Sequence, residues 1–131
     1  MRIVETDCWT LALPDEWEAE QEDDTVYISD EDNVGEIAIT TLQKDNSEKI
    51  DASELEQFVE GIPVPGEPIK LGAFIGNYYQ YSEGEDAVRE WHVYSESILL
   101  IVTYHCIADD QGMDDAAVDA IINTIEILST I

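Results

Sequence analysis

The sequence predicts an α+β domain, a twisted antiparallel sheet of about six strands with two helices packed on it, in the order ββββ-α-βββ-α. Three observations carry this. Short apolar or alternating runs bounded by Pro, Gly, Asn, Asp and Ser recur along the chain, as half-buried strands require. Two other segments carry apolar residues at helical spacing. Finally, 131 residues at 44 % hydrophobic content can build one core but hardly two.

Trp9-Thr-Leu-Ala-Leu13 alternates and stops at Pro14-Asp15, Thr25-Val-Tyr-Ile-Ser29 follows an acidic turn, and a further strand is expected over Gly35 to Leu42. The segment Asp30-Glu-Asp-Asn-Val-Gly35 between them has hairpin-loop composition, with Asn33 or Gly35 suited to a positive φ. A helix is expected next. Asp51 can cap it, Glu54 completes a capping box, and Leu55, Phe58, Val59 and Ile62 form one apolar stripe ending near Gly61. Pro63 and Pro65 then force an extended connection. A meander of three long strands follows, over about Ile69 to Tyr81, Ala87 to Tyr94 and Ile98 to Ile107. The last element is a helix from about Asp114 to Leu128, with Ala117, Ile121, Ile125 and Leu128 on one face and acids at its positive end.

Charge is the unusual feature, with 31 acidic against 5 basic residues and a formal net charge of −26. From Ile3 to Gln43 there are 13 acids and no base, whereas Ile69 to Cys106 carries 5 acids against Lys70 and Arg89 and reads as the heart of the sheet. Such a surface disfavours nucleic acid and anionic membrane, both of which need Lys and Arg to displace counterions. Cationic protein is the expected partner. No apolar run reaches the roughly 20 residues of a membrane-spanning helix. Neither does the N-terminus show the apolar region of a secretory signal, so a cytoplasmic location is expected. Cys8 and Cys106 are then expected to be reduced, a bridge between them requiring adjacent strands.

The residue types for several chemistries are present, but not their spacing, so no catalytic, cofactor-binding or metal-ligating residues are expected. Cys8, His92, His105 and Cys106 lack zinc-ligand spacing, and His105 and Cys106 are consecutive in a strand and so point to opposite faces. A calcium loop beginning at Asp30 would need an oxygen ligand at Val34 and an acid at Thr41. No nucleophile elbow or phosphate-binding glycine loop occurs. Arg89 reads as a structural ion pair at the sheet. The residues assigned to an interface are Asp15, Glu16, Glu18, Glu22, Asp23 and Asp24, with Tyr78, His92 and Tyr94 as aromatic centre should they stand on an uncovered face.

The segments Trp9-Thr-Leu-Ala-Leu-Pro-Asp-Glu-Trp17 and Val26-Tyr-Ile-Ser-Asp-Glu-Asp-Asn-Val-Gly-Glu-Ile-Ala-Ile39, and the helix-meander-helix order after them, resemble small bacterial proteins of the PsbP-like fold. The resemblance implies a twisted antiparallel sheet with packed helices, in a group whose members mostly act by binding proteins. It carries over no functional residue. The expectation is a non-enzymatic module, such as an immunity protein or effector chaperone-adaptor, that masks a basic partner. The alternatives are acidity as an adaptation to salt, mimicry of nucleic acid, and an enzyme with a cryptic carboxylate site.

Overall fold

A computed structural model describes residues 2–31, 34–44, 49–59 and 61–128. Ten strands are present among them, in two antiparallel sheets rather than one. Strands β1 (Arg2–Glu5), β2 (Trp9–Leu13) and β10 (Glu126–Ile127) form a small sheet in the order β1-β2-β10. The large sheet holds β3 (Trp17–Glu22), β4 (Thr25–Asp30), β5 (Gly35–Gln43), β6 (Glu67–Leu71), β7 (Phe74–Glu83), β8 (Asp86–Ser95) and β9 (Ile98–Ile107) in the order β3-β4-β5-β9-β8-β7-β6.

The expected meander is present, but its first member is two strands. Gly72, at φ +60, turns the chain so that Leu71 pairs with Phe74 and β6 folds back on β7. Strand β3 lies where acid-rich composition pointed to a turn. Trp17 is buried there and anchors the strand, overriding the low β propensity of its glutamates. Between β3 and β4, and again between β8 and β9, two-residue turns place Asp23 (φ 52) and Glu96 (φ 54) in the left-handed region. Asn33 lies outside the described residues. Gly35 opens β5 rather than turning the loop, and its smallness admits Tyr104, whose hydroxyl would lie 2.3 Å from an added Cβ.

Both expected helices are shorter than their apolar patterns. The first is a 3-10 helix over Ala52–Phe58, and it carries the predicted capping box: Ser53 N–H donates to Asp51 Oδ1 at 3.0 Å and Asp51 N–H to Glu54 Oε2 at 2.9 Å. It packs Leu55 and Phe58 against Ile50, Leu99, Tyr94 and Ile101 on one face of the large sheet. The α-helix α1 spans Asp115–Ile122. Beyond it the hydroxyl of Thr124 donates to the Ile121 carbonyl (2.6 Å) and accepts the Ala12 N–H (2.8 Å), turning the chain onto β2. There Glu126 and Ile127 pair with Thr10 and Trp9. An open strand edge thus claims residues whose spacing also suits a helix.

The main core lies between the large sheet and the layer made by the small sheet and α1. Trp9, Leu11 and Leu13 of β2, with Val118, Ile121 and Ile122 of α1, meet Ile28, Ile37, Ile39, Trp91, Val93, Leu100 and Val102. Strands approach closely at Gly76, where an added Cβ would stand 1.9 Å from the His92 carbonyl oxygen and 2.8 Å from Val93 Cα. Because backbone cannot yield as a side chain does, Gly76→Ala should cost about 2–3 kcal/mol in urea unfolding. A cost within experimental error would show that the β7–β8 spacing is looser than this.

Candidate protein interface

Each long strand presents alternate residues to the core and to an outer face. On the outer face β3 places Glu18, Glu20 and Glu22 in a row, cross-strand from Ser29, Tyr27 and Thr25 of β4. The next rows are Glu36, Ala38 and Thr40 of β5, then His105, Thr103 and Ile101 of β9. The three β3 glutamates, Glu36 and His105 are exposed, and the residues between them are half-buried. The 3-10 segment covers the neighbouring part of this face, and among the described residues nothing packs over β3, β4 or Glu36 to Thr40 of β5. Tyr27 therefore stands among small and hydroxyl side chains, with carboxylates on two sides. Asp23 and Asp24 extend the acidic row around the hairpin tip, and both are exposed. Among the described residues the ion pairs fall elsewhere, at Glu54, Glu90, Glu96, Asp115 and Asp119.

The residues expected to form an interface divide into three places. Glu18, Glu22, Asp23 and Asp24 stand on this wall, while Asp15 and Glu16 occupy the exposed turn before β3, closed by the Trp17 N–H donating to the Pro14 carbonyl at 3.0 Å. Tyr94 lies on the outer face but packs against the 3-10 segment. His92 shares that face and is wholly buried, so it presents nothing to a partner. Tyr78 points to the opposite, core face, 5.1 Å from the Trp91 ring. The exposed-face aromatic is instead Tyr27. Its position was readable from the alternation of Thr25 to Ser29, and Glu20 from the period-2 row Glu18, Glu20, Glu22.

Two polar clusters hold the sheet around this surface. Arg89 of β8 is nearly buried on the core side, its guanidinium 4.7 Å from the Trp91 ring centroid and 5.3 Å from that of Tyr78. Its Nε donates to the Tyr78 hydroxyl at 2.7 Å and its Nη2 to Asp119 Oδ1 of α1 at 2.6 Å, with Asp115 at 3.5 Å. Burial alone would lower the Arg89 pKa, but Tyr78 and Asp119 more than offset it and hold the cation fully charged. This is the structural ion pair expected at Arg89. On the outer face Glu90 accepts from the Tyr81 hydroxyl and lies 3.0 Å from His92 Nε2, while the Tyr79 ring stands 4.9 Å from the His92 ring. Burial would raise the Glu90 carboxyl, yet these hydrogen bonds outweigh it and set it below the usual range.

Cys8, in the bend before β2, and Cys106 of β9 are free and buried. Burial pushes both thiols up, which leaves little thiolate for nucleophilic chemistry. Among the described residues no group of three His, Cys, Asp or Glu side chains has metal-binding geometry, and no helix is long and apolar enough to cross a membrane.

No family model matches the chain, and no curated protein matches its sequence. Solved structures do match. A crystal structure from Bacteroides thetaiotaomicron is similar over 93 % of this chain with a TM-score of 0.70 at 16 % identity, this chain spanning 46 % of that one. The cyanobacterial PsbP (CyanoP) of Synechocystis, solved in solution, is similar over 92 % of this chain and 86 % of its own, with a TM-score of 0.64 at 7 % identity. The fold is PsbP-like. LpqN of Mycobacterium tuberculosis, involved in cell envelope biogenesis, is similar over 92 % of this chain and 83 % of its own, with a TM-score of 0.59 at 19 % identity. At such identities the likeness is one of fold. The acidic wall on this PsbP-like sheet is therefore read from its own residues.

Removing the Arg89 cation would free Asp115 and Asp119, which are 37 % and 48 % exposed and return partly to water. Arg89→Met should thus cost about 2 kcal/mol, below the usual loss for a broken buried pair, and Arg89→Lys should restore only part of it. Urea melts in roughly 0.5 M NaCl, where surface repulsion is screened, measure this. An Arg89→Met protein as stable as the parent would remove the ion pair from the account.

Because the Glu90 pKa is depressed on folding, its contribution is present above the ordinary carboxylate range near ~4.3 and is lost as pH falls through the lowered folded value. Glu90→Gln should cost about 1–2 kcal/mol at neutral pH, and its stability curve should converge with the parent's as pH falls through the lowered folded value. A gap that stays constant across that range would mean the carboxylate charge contributes nothing.

Proposed function

We propose that this protein is a non-enzymatic binding module that docks a basic protein on the outer face of β3, β4 and β5. The supporting observation is the combination on one uncovered sheet surface of Tyr27 with the exposed carboxylates Glu18, Glu20, Glu22 and Glu36. An aromatic ring amid small side chains supplies contact area at little entropic cost, and a charged rim steers a cationic partner and speeds encounter. Immunity proteins and effector chaperones have this physical task, which is to cover a basic surface. The two free thiols are consistent with work in the cytoplasm.

Imitation of nucleic acid fits less well. Alternate residues along a strand stand about 6.7 Å apart, so the β3 row carries roughly half the charge density of one DNA strand along its axis. The row suits a few discrete Lys or Arg side chains better than a surface built for continuous phosphate.

A charge-matched pair of variants tests the reading. Glu18→Gln/Glu20→Gln/Glu22→Gln and Glu83→Gln/Glu85→Gln/Asp86→Asn each remove three negative charges, the second set from the β7–β8 hairpin. Three exposed pairs at about 0.5 kcal/mol each should make the β3 variant bind a basic partner roughly tenfold more weakly. The hairpin variant should match the parent in the same low-salt capture of basic proteins. Equal losses would make the acidity a property of the whole surface, as salt adaptation predicts.

A further inference from the structure

The free edge of β3 lies beside a groove that an extended chain would fill. Among the described residues β3 pairs only with β4, and β1 is likewise the edge of its own sheet. The two edges border a cleft of about 260 Å³ lined by Ile3, Val4, Leu13, Ala19, Gln21 and Val26, with Arg2 at its margin. Gln21 and Val26 also line a second cleft of about 400 Å³, shared with Asp7, Cys8, Asp23 and Asp24, so the two adjoin at the β3–β4 hairpin. Ala19 and Gln21 point to the core side of β3, where a closed sandwich would cover them, and both are exposed. The layers therefore part at this edge.

We propose that β3 accepts an extended segment of the basic partner by strand addition, a proposal that rests on the binding reading above and specifies its mode. An added strand takes up the unpaired backbone groups of the edge and presents its own side chains alternately to the two sides. On the outer side they meet Glu18, Glu20 and Glu22, where directly opposed cations are favourable. On the inner side they enter the groove, which is apolar and small at Val4, Leu13 and Ala19 and acidic at Asp7, Asp23 and Asp24. Arg2 donates to the Trp17 carbonyl and closes the groove at that end, so the usable edge runs from Glu18 to the hairpin tip. The same glutamates repel the β3 edge of a second copy, since like charges would stand opposite one another. The site thus selects an alternating cationic and apolar segment over its own kind.

Backbone methylation separates strand addition from simple charge attraction without altering the protein. The probes are a nine-residue peptide alternating Lys and Val and two copies N-methylated at the odd or at the even positions, titrated calorimetrically at low salt. Only one edge of an added strand bonds β3, so one methylation pattern should weaken binding by about tenfold or more while the other stays within about twofold. Amide shifts in the unmethylated complex should centre on residues 18–26. If both methylated peptides bind like the parent, the segment is held by charge alone, which overturns strand addition and leaves the binding reading standing. If the unmethylated peptide does not bind at all, both fall.

Discussion

One buried cation organises the covering of this sheet. Arg89 lies against the packed rings of Tyr78 and Trp91 and reaches across the core to Asp119 and Asp115, tying β8 and β7 to α1. A chain with five basic residues places one of them almost out of water, and the aromatic faces and helix acids compensate its desolvation. Through α1 the contact also positions Thr124, which passes the chain onto β2 so that β10 completes the small sheet. The layer that covers the core is thus fixed at the β8 side. It does not extend to the far edge, where β3 and β1 part.

The same geometry sorts the acids. Those of α1 face Arg89, Glu90 is held by Tyr81 and His92, and Glu54 pairs with Lys44. The exposed carboxylates are unevenly placed. Where the 3-10 segment covers the outer face, the sheet carries Leu99, Ile101 and Tyr94; where no described residue covers it, the sheet carries glutamates, threonines and Tyr27. Charge on an edge strand keeps copies apart. A row of like charge beside an aromatic ring and an open groove goes further, because it combines an attractive field with a shaped surface.

Much of this was legible in the sequence. The alternation in Trp9 to Leu13 and in the three long runs after Ile69 located strands, Asp51 and Glu54 marked a cap that is present, and Arg89 was readable as an ion pair. The PsbP-like resemblance holds at the level of fold. What escaped has local physical reasons. Strand β3 is nearly all exposed, so its alternate glutamates stood opposite Ala19 and Gln21 rather than an apolar face that would mark a strand. Gly72 sits inside an otherwise continuous strand pattern and gave no sign of being a turn. Ile125 and Leu128 continue a helical spacing, yet the open edge of β2 draws the chain beside it, Leu128 N–H donating to the Cys8 carbonyl at 2.8 Å. For the aromatics the parity of one strand decided everything: Tyr78 and His92 are on opposite faces, and only pairing register shows which face is covered.

Native-state hydrogen exchange, followed amide by amide in moderate salt, tests the central claim that the sheet is closed around β8 and β9 and open at β3. The account predicts that interior amides of β8 and β9 exchange only on global unfolding. Edge-facing amides of β3 between Glu18 and Glu22 should exchange several orders of magnitude faster, without loss of the β4 ladder. Protection along the whole of β3 equal to that of β8 would contradict it, since the edge and the groove would then already be covered in the free protein.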